Sequence, residues 1–507
     1  MSKATRREWI GLAVIALPCM LYSMDLTVLN LAVPKLSAAL RPSAAELLWI
    51  VDVYGFLVAG SLITMGTIGD RIGRRRLLMI GAAAFGAASV LAAFSSTPAL
   101  LIAARALLGI AGATLAPSTL SLIRNMFHDP RQRTVAVSVW IMSYSAGAAI
   151  GPLVGGVLLE YFWWGSVFLI NVPVMALLLA LAPVLLPESR DAQAGRLDVA
   201  SAGQSLIAVL AVIYGLKRIA EDGAGWLPAG AILAGIVVGF AFVRRQRRLR
   251  EPLIDLALFR IPAFSAAIAT NILGFLATFG TFLFIAQYLQ SVIGLSPLQA
   301  GLWSTPAALA FIFGSMATPA IVQRFSPAHV IAGGMTVAAL GFLLLSQVAQ
   351  AASPLAALVV GSVVFSAGLT PVVTLTTDLV LGAAPPERAG AAAAISETSS
   401  EFGGALGIAV LGSIVTVLYG GAMAAAVPLG VPPAAAEIAR GTVGGAVAVA
   451  AHLPDALAAE LLGTARAAYA GAFAVVAYIG AAISVGVAVL ALVLLRRVRP
   501  AAHPARA

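Results

Sequence analysis

The chain has 507 residues, 61% of them hydrophobic and only 10% charged. Soluble domains carry about 25% charged residues, so a soluble fold is excluded. The net charge of +10 does not point to nucleic acid, because the basic residues sit in short loops between apolar runs. One cysteine and four histidines leave no intrachain disulfide and no metal-ligand cluster to expect.

A bilayer core of about 30 Å takes roughly 20 apolar residues per helix. Fourteen such runs follow in order, at roughly 11–33, 47–66, 77–95, 98–123, 134–158, 164–186, 199–216, 227–243, 263–289, 298–322, 328–347, 355–380, 392–418 and 470–496. An ionised group at the bilayer centre costs about 2.5–3.5 kcal/mol on insertion scales, so charges inside these runs are the first candidates for machinery.

The first span carries Cys19 and Asp25. It lacks an A-x-A-like cleavage site and runs on to Pro34, which predicts an uncleaved helix rather than a signal peptide. The second span carries Asp52 in WIVDVYGF, with a shallow hydrated position near the helix end as the alternative to a buried one. GTIGDRIGRRR, from Gly66 to Arg76, leads into the third span. Gly66, Gly69 and Gly73 permit a tight turn. Asp70 can accept from backbone N–H groups or pair with an arginine, and Arg71, Arg74, Arg75 and Arg76 suit the inner face. A plain positive-inside stop explains some of these arginines as well.

The fourth span holds Arg105, about two turns from its outer end by the helical rise of about 1.5 Å per residue. Arginine keeps its charge, so it needs a partner, and Asp25 and Asp52 fall at similar depth. An architectural ion pair and a coupling site are both open readings. The fifth span reads SYSAGAAIGPLVGG from Ser143, with Gly147, Gly151 and Gly155 at every fourth position beside Pro152 and Gly156. That pattern is a close-packing stripe with a kink.

Spans seven and eight precede the connector RRQRRLREPLIDLALFRIPAF, residues 244–264. Its arginines suit an anionic leaflet and its apolar residues suit the interface, or the whole is a solvated basic loop. In the tenth span, GSMATPAIVQRFSPAHV from Gly314 matches GSLITMGTIGDRIGRRR from Gly60 at an offset of 254 residues, with Thr318 answering Thr64. The match predicts two parallel six-helix repeats with spans seven and eight inserted between them. Asp378 ends the twelfth span, at a depth where an interfacial acid near Arg388 is the alternative reading. In the thirteenth, Glu397 and Glu401 are four apart and share one face, where two ionised carboxylates repel. Residues 419–469 form an external Ala/Gly-rich segment, too broken to span and suited to a helical hairpin. Trp49, Tyr54, Trp140, Tyr144, Gln287, Tyr288 and Trp303 are cavity-lining or interfacial candidates.

GTIGDRIGRRR resembles the signature of the loop between the second and third helices in the major facilitator superfamily. SYSAGAAIGPLVGG resembles the fifth-helix signature of its drug–proton antiporters. MDLTVLNLAVP, from Met24 to Pro34, resembles the first-helix signature of the fourteen-helix EmrB/QacA-type branch. The resemblance implies an all-α integral membrane fold of two six-helix bundles plus two inserted helices. The domains are then 1–186, an insertion and connector at 187–262, and 263–507 with the external segment 419–469.

It implies that the loop of Gly66, Asp70, Arg71, Gly73 and Arg74 latches the halves on the cytoplasmic side, and that Gly147, Gly151, Pro152, Gly155 and Gly156 bias the pump toward export. It implies a proton role for Arg105 and a substrate or proton role for Asp25. It further implies drug-binding acids in the thirteenth span. Some members carry an acid in the tenth span as well, and this chain's tenth span has none.

Alternate loops hold 24 lysines and arginines against 6, namely Lys35, Arg41, Lys217, Arg218, Arg440 and Arg466. That bias puts both termini in the cytoplasm of a multi-pass inner-membrane protein. The expected function is proton-coupled export of amphipathic, cationic drugs or toxic compounds, with protons, a small-molecule substrate and membrane lipids as partners. Neither a cofactor nor enzyme activity is expected, and no phosphate-binding loop with Lys-Ser/Thr points to an ATP-driven pump. A dedicated exporter of one metabolite, antibiotic or lipid is the alternative, and a proton-coupled importer a third reading that the fifth-span signature disfavours. The intramembrane charges divide into Asp25, Asp52 and Arg105 toward the outer end and Asp378, Glu397 and Glu401 toward the inner end.

Overall fold

The computed structural model describes residues 4–188, 198–222, 225–249, 252–254, 256–322, 324–383 and 389–495. Among these, every regular element is helical. Thirteen segments among the described residues are long and apolar enough to cross a membrane. The remaining predicted span, 134–158, falls in a helix of 32 residues. The chain divides into two compact units, Met1–Leu253 with Leu295–Leu302, and Ile254–Gly294 with Trp303–Ala507.

The first unit contains α1 (Arg6–Leu40), α2 (Ala44–Ile72), α3 (Arg74–Ala93), α4 (Pro98–Gly112), α5 (Leu115–Met126), α6 (Pro130–Tyr161), α7 (Ser166–Leu169), α8 (Asn171–Leu185), α9 (Val199–Asp222) and α10 (Trp226–Gln246). Polar caps set the starts. Thr5 with Glu8 and Ser43 with Glu46 make capping boxes for α1 and α2. Thr97 and Asp129 cap α4 and α6 through the backbone N–H groups of Leu100 and Gln132.

The fourth and sixth predicted spans are each broken once, by prolines. Pro117 has no N–H to give the carbonyl of Ala113, where α4 gives way to α5, and Pro173 has none for Leu169, the last residue of α7. In packing, α1 lies along α6, α2 along α4, and α3 against α4 and α8; α9 pairs with α10 and rests on α2.

The second unit contains α11 (Pro262–Gln287), closed by a π-helical turn at Tyr288–Val292, most of α12 (Pro297–Val322), α13 (Pro327–Ser346), α14 (Pro354–Ala383), α15 (Ala389–Ala426), α16 (Pro433–Gly441), α17 (Val443–Ala450) and α18 (Asp455–Leu494). Here α11 packs on α15 and α18, and α13 on α14 and α18. The pairing of first with fifth and third with sixth membrane helix therefore recurs, as α1–α6 and α3–α8 in one unit and α11–α15 and α13–α18 in the other.

Two connectors take definite form. In the apolar part of 244–264, Leu258 turns inward while Phe259 stays exposed. Leu258 is buried against Phe264, Ala267, Ile268, Val380, Ala392 and Ile395, because its side chain completes the core at the ends of α11, α14 and α15. Arg250, Glu251 and Asp255 lie outside the described residues. The segment 419–469 is mostly helix. Its alanine-rich ends extend α15 to Ala426 and begin α18 at Asp455, and the short pair α16–α17 lies between. Tyr419 donates to the carbonyl of Ala439 at 2.9 Å and ties α15 to α16.

Candidate functional site

In the first unit Arg105 and Asp25 meet. Glycine at position 109 lets α4 approach α2 closely: a Cβ there would lie 2.6 Å from the carbonyl oxygen of Tyr54 and 3.2 Å from its Cα. One turn earlier, Arg105 lies against the backbone of α2. Its Nε donates to the carbonyl of Ile50 at 3.1 Å and one terminal nitrogen to that of Val51 at 3.4 Å. The other terminal nitrogen donates to Oδ2 of Asp25 at 2.5 Å. The guanidinium also lies 4.5 Å from the ring centre of Tyr54 and 5.9 Å from that of Phe168.

Burial is nearly complete, with Arg105 1% exposed, Asp25 6% and Asp52 1%. Asp52 is thus a core residue and not the shallow hydrated acid that its place near a helix end allowed. An aromatic chain extends from the cluster: Tyr22 lies 6.0 Å from Tyr54 and 5.7 Å from Tyr144, and Trp140 lies 4.9 Å from Tyr144.

The glycines of α6 set the position of the helix that carries Asp25. A Cβ at Gly147 would lie 2.1 Å from the carbonyl oxygen of Met20, one at Gly151 would lie 2.1 Å from Oγ1 of Thr27, and one at Gly155 would lie 2.7 Å from Val28. These contacts flank Asp25 on both sides along α1. Pro152 lies inside α6, and Gly156 faces Pro297 and Leu298 of the same unit, where a Cβ would approach backbone atoms to 2.9 Å.

In the loop motif only Gly73 has a left-handed backbone, with φ +108°; Gly66 and Gly69 lie inside α2. A Cβ at Gly66 would be in ordinary contact with Pro117 at 3.8 Å. Arg71 is exposed, Arg74 donates to the carbonyl of Pro117 at 3.3 Å, and the side chain of Asp70 lies outside the described residues. Arg75 makes the tie across the unit. Its backbone N–H donates to Oε1 of Glu188 at 3.0 Å, and its guanidinium donates to the carbonyl of Leu186 at 3.0 Å. Sequence reasoning missed Glu188; an isolated acid just beyond a predicted span, opposite a basic loop, was the available signal.

In the second unit Glu397 and Glu401 are half-buried on α15, and Asp378 is exposed on α14. Asn271 of α11, buried, staples the same region. It donates to Ser399 Oγ and Ser400 Oγ at 2.8 Å each and to the carbonyl of Ser396 at 3.4 Å, and accepts from Thr376 Oγ1 of α14 at 3.1 Å. Gly403 and Gly407 bring α15 onto α11, where Cβ atoms would lie 2.6 Å from the carbonyl oxygen of Ile272 and 2.1 Å from that of Leu276. Asn271 was also missed. Its signal was a single amide within the apolar run SAAIATNILGF.

The model of the Major Facilitator Superfamily matches residues 15–408. The chain is 42% identical over 496 residues to the multidrug efflux pump LfrA of Mycolicibacterium smegmatis, covering 98% of each protein. It is 36% identical to the methyl viologen resistance protein SmvA of Salmonella typhimurium, over 91% of this chain and 93% of that protein. With the tetracenomycin C resistance and export protein of Streptomyces glaucescens it shares 33% identity, over 82% and 77%. Among solved structures, a bacterial homolog of the human lysosomal transporter Spinster, inward-facing and unoccupied, superposes with a TM-score of 0.67 at 17% identity, over 99% of this chain and 100% of that one.

Proposed function

The chain belongs to the major facilitator superfamily, and from that premise we propose that it is a proton-coupled antiporter exporting amphipathic, cationic drugs or toxic compounds across the cell membrane, with both termini in the cytoplasm. Drug export is supported by relatives that are a multidrug efflux pump and resistance proteins. Proton coupling is carried by one observation above others, the buried contact of Arg105 with Asp25.

Asp25 exchanges the proton. Ionised, it holds the guanidinium; protonated, it loses most of that attraction, and Arg105 is left to the carbonyls of Ile50 and Val51. A proton arriving at Asp25 therefore changes what joins α1 to α4. Asp52, buried and next to Val51 on α2, is the second candidate for that exchange. The membrane potential supplies about 2.3 kcal/mol per charge per 100 mV, beside the pH term.

Glu397 and Glu401 give a cationic substrate its counter-charge, and Asp378 contributes at the exposed side of α14. The loop of Gly66, Asp70, Arg71, Gly73 and Arg74 acts as a conformational latch, and the α6 stripe of Gly147, Gly151, Pro152, Gly155 and Gly156 holds α1 in place during the cycle. A second reading, a dedicated exporter of one compound, is favoured by the likeness to the tetracenomycin C exporter.

The test is efflux from proteoliposomes under an imposed pH gradient, with a panel of unrelated cationic dyes. Wild type should move several dyes, and Asp25→Asn should abolish pH-driven efflux. Wild-type rates in Asp25→Asn would remove Asp25 from coupling, and transport of a single compound would select the dedicated exporter.

A further inference from the structure

Beyond the transport cycle, the inserted pair α9–α10 carries a built cleft at the C-terminal end of α10. Gln204, Ala241, Arg244, Arg245, Arg248 and Leu249 line about 290 Å³. The α10 members recur every three or four residues, so they share one face.

The walls are fixed by polar contacts. Arg245 grips Asp198 with two hydrogen bonds, from Nε at 3.1 Å and from a terminal nitrogen at 2.9 Å, and also reaches Ser201 Oγ at 3.1 Å. That contact holds the Asp198 carboxyl down at about 2. Gln246 donates to Ser201 Oγ at 2.7 Å and accepts from the backbone N–H of Leu253 at 2.7 Å. Among the described residues, three arginines thus line the cleft and one carboxylate, that of Asp198, meets them. Arg244 and Arg248 are exposed, and neither makes an ion pair among the described residues. Gln204 lines the α9 side of the cleft, and its Oε1 is buried without a hydrogen-bond partner among the described residues.

The chemistry that matches these arginines is a phosphodiester anion. Its source follows from what adjoins the arginines. Leu233, Ile236, Val237 and Phe240 form an exposed apolar stripe on α10 that leads toward Arg244. Phe240 and Arg244 are about 6 Å apart along the axis at about 1.5 Å per residue. An acyl chain laid on that stripe delivers its headgroup to the arginines, whereas a soluble phosphate gains nothing from it.

We propose that the cleft between α9 and α10 is a binding site for the headgroup of an anionic phospholipid of the phosphatidylglycerol type, held by Arg244, Arg245 and Arg248. The site needs only that the helices cross a membrane, so it stands whatever the chain exports.

Native mass spectrometry of the full-length protein in detergent, titrated with phosphatidylglycerol, phosphatidylcholine or inorganic phosphate, tests it. Wild type should retain phosphatidylglycerol over phosphatidylcholine. Arg244→Gln with Arg248→Gln should weaken that binding about thirtyfold, from the typical worth of an arginine near an anionic headgroup. Arg247→Gln makes the same charge change beside Arg248 but outside the cleft, and should bind as wild type. Unchanged melting temperatures would establish that all variants fold. The proposal is overturned if Arg247→Gln loses as much binding as Arg248→Gln does alone, since bulk charge would then suffice. It is overturned equally if the double variant binds as wild type, or if inorganic phosphate displaces the lipid at matched concentration, which would mark a soluble-anion site.

Discussion

Arg105 has its Nε and both terminal nitrogens engaged within a cluster that excludes water. Removing one member of a buried ion pair costs about 3–5 kcal/mol, because the other charge stays behind unpaired. Arg105→Ala should therefore lower thermal stability in detergent sharply. Arg105→Lys should fall between, since an ammonium keeps the charge but lacks the fork that reaches Asp25 and two carbonyls together. The double change Asp25→Asn with Arg105→Leu should recover most of the stability while transport stays absent. A double variant as unstable as Arg105→Ala would show that the pair is not the source of the loss. The charged members of the site were legible because lipid makes any ionised residue conspicuous. The carbonyls of Ile50 and Val51 were not, since every residue has a carbonyl and only packing selects these two. Tyr54 stood among several aromatics, and nothing in its neighbours singled it out for the guanidinium.

At the scale of elements, helices were legible as apolar runs, whereas their internal breaks at Pro117 and Pro173 were hidden by the apolar residues around them. The inward turn of Leu258 was not legible, because an apolar residue in a connector has the same composition whether it meets lipid or core. Glycines divide in the same way. Gly147→Ala would drive a methyl group into the carbonyl of Met20 and force α1 and α6 apart, an overpacking cost of about 1–3 kcal/mol. Gly230→Ala, on α10 with open space around it, should be neutral or gain up to about 1 kcal/mol in helix propensity. Melting temperatures of the two variants in detergent check the contrast, and a loss at position 230 equal to that at 147 would refute it.

For the whole molecule, the matched pairing of helices inside the two units gives physical content to the repeat seen at Gly60 and Gly314, whose charged part had faded in the second copy. The proposed orientation is open to labelling. Cys19 is fully buried and is the chain's one cysteine, so it gives no background to a thiol reagent. Leu429→Cys, at a fully exposed position between α15 and α16, should react with a membrane-impermeant maleimide on intact cells. Arg247→Cys should react only after the membrane is opened, and the reverse pattern would put both termini outside. The tie between Arg75 and Glu188 also has a consequence in time, since 113 residues of chain separate them. At a synthesis rate of about 5–20 residues per second, roughly 6–23 s pass between the emergence of the basic turn and that of its acid. The turn at Gly73 must settle at the membrane face with Arg75 still open, and it closes only when α8 has followed; until then the newborn chain offers that arginine to headgroups and water.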